Sequence, residues 1–135
     1  MMMVKINNIV SQLKNILTAL TSNNKVKTAT IVAGQYITGE IDLESYKYIG
    51  IIMPTTFTGN TLTFQSAATS GGSYQDINDD TGFEATVTVT QSKNTPIDLN
   101  SLKLSPWRYI KIRSGTASAP VTQSSERVIT LVLKN

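Results

Sequence analysis

Two runs near the C-terminus, 107–112 (WRYIKI) and 127–133 (RVITLVL), set what this chain can become. In the first, Trp107, Tyr109 and Lys111 fall on one face and Arg108, Ile110 and Ile112 on the other. Such alternation marks a strand with two unlike faces. In the second, Val128, Thr130 and Val132 alternate with Ile129, Leu131 and Leu133, so both faces are mostly apolar. A strand deep in a sheet and covered on both sides is expected there. The stretch between the runs, rich in Gly, Ser, Thr and Pro, reads as a long connection.

Similar runs recur upstream at 26–33, 36–43, 46–53, 61–66, 74–77, 83–90 and 96–99. Turn formers separate them: Gly34, Pro54, the small residues of 67–72 and the NDDTG of 78–82. Residues 46–53 are apolar nearly throughout and read as buried. Leu62 and Phe64 are expected to face inward, as are Phe83, Ala85, Val87 and Val89. Residues 102–104 read as a helical turn or an extended connection. About eight or nine strands at roughly ten-residue spacing predict a mainly-β fold, an antiparallel β-sandwich or jelly roll spanning 25–135.

The N-terminal segment, 1–24, differs in kind. Over 4–21, Ile6, Ile9, Leu13, Ile16 and Leu20 recur at alternating spacings of three and four, the a/d seam of a coiled-coil-like helix. Val10 and Leu17 take the adjoining e position and widen the stripe, as in helices that cover a core or join bundles of more than two. Asn and Thr/Ser residues lower its helix propensity, and e/g ion pairs are missing. A helix of this length is marginal alone in water. It needs a partner surface: sister copies, a different protein, or its own β domain. Self-association leads, and a homotrimer anchored through these seven residues is expected.

Composition narrows the chemistry. The chain has no Cys and no His, which removes thiol nucleophiles, disulfides, His-ligated metals and imidazole bases. Residues 1–27 hold four lysines and no acid, whereas 28–135 hold 8 bases and 9 acids. Spaced lysines without Arg or interleaved aromatics read as a solvated helix face rather than a nucleic-acid footprint. No run is long enough to span a bilayer, and MMMVKINNIVSQL lacks the continuous apolar region and cleavage site of a signal peptide.

Each candidate site meets a plainer reading. Asp76, Asn78, Asp79 and Asp80 with Gly82 could hold calcium, but the glycine is out of place for an EF-hand and no Glu closes the loop, so a hairpin turn is expected. Ser114, beside Gly115, and Ser124 and Ser125 have no His to activate them as nucleophiles. Glu40, Asp42 and Glu44 share one strand face and read as a solvated face rather than a glycosidase pair. Tyr36, Tyr46, Tyr48, Tyr74 and Trp107 could form a sugar-stacking platform, but core packing explains them better. Arg113 or Arg127 with Glu126 is expected to clamp the C-terminal connection. No catalytic residue, metal or cofactor is expected.

Two stretches carry a longer pattern. In 48–82 it runs through Met53-Pro54, Phe57, the strand Leu62-Thr63-Phe64-Gln65 with Ser66, a Gly-rich turn and an acidic turn with Gly82. In 108–133 it runs through Arg113-Ser114-Gly115-Thr116, Pro120-Val121, Gln123 and Arg127. In these positions the chain resembles small β-sandwich virion proteins of tailed bacteriophages, of the head-decoration or head-fibre type. The resemblance covers most of 28–135, and loop 68–72 departs from it in having no acid beside its glycines. It implies a non-enzymatic structural protein on the virion surface, in contact with itself and with other virion proteins such as the major capsid protein. Residues 1–27 lie outside the match and suit a helical neck before a β head. The alternative is a tail-fibre or baseplate module that binds carbohydrate on the host surface.

Overall fold

The computed structural model describes residues 2–21, 24–99, 104 and 106–135, with side chains left out at 18–21. Helix α1 spans Met2–Thr21. Nine strands follow: β1 Lys25–Ile31, β2 Ile41–Asp42, β3 Tyr48–Ile52, β4 Thr61–Ala67, β5 Gln75–Asp76, β6 Thr86–Thr88, β7 Asn94–Asp98, β8 Tyr109–Ser114 and β9 Arg127–Lys134. Every strand pairing is antiparallel. One sheet has the order β1-β9-β3-β7 and the other β2-β8-β4-β5, with β6 also paired to β4. The mainly-β, two-sheet architecture expected from the alternation is the one the chain adopts. No helix among the described residues is long and apolar enough to cross a membrane.

The two C-terminal runs are the inner strands of different sheets: β9 lies between β1 and β3, and β8 between β2 and β4. Their inward residues, Ile110 and Ile112 on β8 and Ile129, Leu131 and Leu133 on β9, meet Leu62 and Phe64 of β4 and Ile49 and Ile51 of β3 in one core. Burying each of these aliphatic side chains contributes about 2 kcal/mol. The connection 115–126 crosses between sheets and is held by backbone bonds, Gly115 N to Thr61 O at 2.8 Å and Val121 N to Ser114 O at 2.8 Å.

Several sequence expectations change. Strand β9 is buried on one face only, because Val128 is exposed and Thr130 and Val132 are half-buried. Strand β3 likewise exposes Tyr48 and Ile52. Two layers give each sheet one inward face, and the outer faces of β3 and β9 are left open or half-open. Phe83 is 73% exposed rather than inward, since the Asp79 turn ends there with Asp79 N on Phe83 O at 2.7 Å. Ala85, Val87 and Val89 do face the core. The expected strand 36–43 shrinks to β2 and an isolated bridge from Ile37 to Arg113. Thr38 explains the break: its N–H donates to Ile112 O at 2.9 Å, and its hydroxyl accepts from Ile112 N at 3.0 Å. Of the connection expected at 102–104, positions 102 and 103 lie outside the described residues. Leu104 is buried, and its N–H donates to Leu99 O at 2.7 Å.

Candidate functional site

The helix stripe is the most exposed apolar feature of the chain. Ile9 is 56% and Leu13 59% exposed, and Ile6, Val10, Ile16 and Leu17 are also open. The side chain of Leu20 lies outside the described residues. Helix α1 carries no acid in its first turn and no base in its last, so nothing complements its dipole. In the single chain a weakly self-supporting helix therefore shows a continuous apolar face to water.

The outer face of the β2-β8-β4-β5 sheet is the opposite in character. Arg113, on the outward side of β8, is buried beneath its partners. Its Nη1 donates to Asp76 Oδ1 at 2.7 Å, its Nη2 to Glu84 Oε2 at 2.8 Å and its Nε to Thr63 Oγ1 at 3.0 Å. Glu84 also accepts from Ala117 N, which ties the 115–126 connection to the same cation. The clamp thus uses Arg113 with Asp76 and Glu84. Glu126 is exposed and supplies neither carboxylate. Arg127 donates from Nε to Gln123 Oε1 at 3.1 Å, and Glu126 is not its partner in that bond.

Gln123, fully buried, is the second knot. Its Oε1 also accepts from Thr58 N at 3.0 Å, and its Nε2 donates to Thr58 O and Ser114 Oγ, both at 2.8 Å. Hydropathy carried no signal for it, since a lone Gln in a polar loop looks solvated, and only the longer pattern of 108–133 marked the position. Asp76 and Glu84 were findable. Asn78 pairs with Glu84 in an isolated bridge, so a hairpin around 78–82 sets Asp76 and Glu84 diagonally on one face.

The three acids of 40–44 do not converge. Glu40 accepts from Ser70 Oγ at 2.6 Å, Gly71 N at 2.8 Å and Tyr74 Oη at 2.6 Å, pinning loop 68–74. These bonds, Ser70 first, hold its carboxyl below the usual range. Asp42 takes a two-point contact from Arg108, Nε to Oδ1 at 2.8 Å and Nη2 to Oδ2 at 3.1 Å. That guanidinium lowers the Asp42 pKa to about 2. Glu44 receives Lys25 and Lys27, each at 2.9 Å. In the acidic turn, Asp79 Oδ1 accepts from Thr81 N, Thr81 Oγ1 and Phe83 N, which is turn chemistry. Among the described residues no three acidic side chains gather as a metal site would require.

Core packing, expected for the five aromatics, holds for Tyr46, which packs against the core, whereas Tyr36, Tyr48 and Trp107 are exposed. Tyr74 is spent on Glu40, and Lys111 Nζ sits 4.4 Å from its ring centre. Tyr48 borders a shallow apolar groove of about 500 Å³ over Gly50, Pro96 and Val132 on the outer face of the other sheet. Trp107 borders a separate groove of about 390 Å³ with Ser66, Ser73, Gln75 and Asn78.

No protein-family model matches the chain, and no curated relative does. Among solved structures, the chain is similar to the crystal structure of SPBc2 prophage-derived protein YomS, at 8% identity and a TM-score of 0.48, over 83% of this chain and 95% of that one.

Proposed function

We propose that this chain is a non-enzymatic structural subunit of a bacteriophage particle, a head-decoration or head-fibre protein. Helix α1 joins copies into a homotrimer and anchors them to the virion, and the β-sandwich stands outward. The observation that carries this reading is the exposed apolar stripe of α1. Its a positions hold Ile6 and Leu13 and its d positions Ile9 and Ile16, a choice that favours three or four strands over two. The resemblance of 48–82 and 108–133 to small phage virion sandwiches supports the setting. The head's acids, which are engaged in turns and ion pairs rather than gathered in a cleft, support a role without turnover.

Imaging of intact particles that carry the chain, labelled with an antibody to 25–135, tests the placement. Regular label over the head is expected. Label on the tail alone, or none on purified particles, contradicts it.

A further inference from the structure

The groove beside Trp107 lies at one end of the sandwich. Its walls come from the end of β4 and the residues after it, the segment around β5, and Trp107 just ahead of β8. Its volume of about 390 Å³ falls within the range of small-ligand pockets. Trp107, the chain's one tryptophan, is 38% exposed there.

Several polar side chains line this groove beside Trp107. Those of Ser73, Gln75 and Asn78 make no hydrogen bond to another described residue. By contrast Glu40, Asp42, Glu44, Asp79 and Glu84 are each bound to donors of the chain. An indole plate therefore stands next to hydroxyl and amide groups left available for something else. A sugar ring has an apolar C–H face and a rim of hydroxyls. The indole suits the face, and amides, which both donate and accept, suit the rim. Asp76 is the charged member of the described lining, and no Lys or Arg is among those residues. Arg113 pairs with Asp76 but is shared with Glu84, so the cluster keeps one net negative charge and disfavours an anionic sugar.

We propose that this groove binds a neutral oligosaccharide, with Trp107 stacking on a ring and Gln75 and Asn78 holding its hydroxyls. The site is independent of how α1 assembles the chain.

Because Trp107 is the only tryptophan, its emission reads the groove directly. The 135-residue chain is applied to an array of neutral and anionic glycans. It is then titrated with maltohexaose, cellohexaose, the hexamer of N-acetylglucosamine and any neutral glycan the array retains. A saturable emission change with at least one of them is expected, at a Kd of about 0.1–1 mM. Calorimetry should show Gln75→Ala weakening it about tenfold and Trp107→Ala by more, with unfolding midpoints close to that of the parent. If Trp107→Ala fails to fold, Gln75→Ala and Asn78→Ala decide the question alone. The proposal is overturned by silence of all neutral glycans on the array and up to about 10 mM in solution, by retention of anionic glycans only, or by binding that Gln75→Ala and Asn78→Ala leave intact.

Discussion

Arg113 holds two carboxylates and a hydroxyl with 5% of its side chain exposed. Removing a buried cation leaves its partners facing one another, so Arg113→Ala is expected to cost about 3 kcal/mol of stability. Glu126→Ala, at an exposed position outside the cluster, should change it by less than about 0.5 kcal/mol. Urea unfolding of the two variants compares them, and equal losses would return Glu126 to the clamp. Asp42 makes a second residue-level prediction. Its folded pKa of about 2 lies below the ordinary 3.8, so the folded state holds that proton less tightly than the unfolded chain. The stability it contributes is complete above the unfolded value and disappears as pH falls through about 2. NMR titration should place its midpoint there, and Arg108→Ala should return it towards 3.8. Gly115 has φ +84°, and an added Cβ would lie 2.5 Å from Ala119 O. Gly115→Ala should therefore cost about 2 kcal/mol, read in the same unfolding series.

At the level of elements, strand type and position were legible because alternation reports which side of a two-layer sandwich a residue faces. Ile129, Leu131 and Leu133 were marked by pattern and are buried, whereas Val128 and Val132 were marked by the same pattern and are not. Hydropathy alone cannot tell a face covered by a third layer from one left open. Phe83 misled for a related reason: the alternation of β6 was carried back into a turn that Asp79 controls. The clamp was half legible. A basic residue on β8 pointed to ion pairing and the 78–82 turn set Asp76 and Glu84 on one face, but local sequence does not announce that this hairpin lies beside β4 and so within reach of β8. Strand β4 gives the element-scale test. Phe64 is fully buried between neighbours from both sheets, so Phe64→Ala is expected to cost about 4 kcal/mol, whereas Phe83→Ala should stay within about 0.5 kcal/mol. Comparable losses in the two would put Phe83 back in the core.

The whole molecule divides its surface unevenly. The outer face of the β2-β8-β4-β5 sheet is tied down by Arg113 and Arg108 with their acids, while the outer face of the other sheet shows Val26, Tyr48, Ile52 and Val128. Helix α1 adds a longer apolar stripe, ahead in the chain of β1, the edge strand next to β9. A head stabilised by its own core needs nothing from that helix, and the helix, with no acid in its first turn and no base in its last, needs company to persist in water. Assembly and folding should therefore separate cleanly. Sedimentation equilibrium of the 135-residue chain at micromolar concentration, beside Leu13→Asp, measures this directly. A trimer that becomes a monomer on substitution, with the unfolding midpoint of the β domain unmoved, is the expected result; a monomer before any substitution contradicts it.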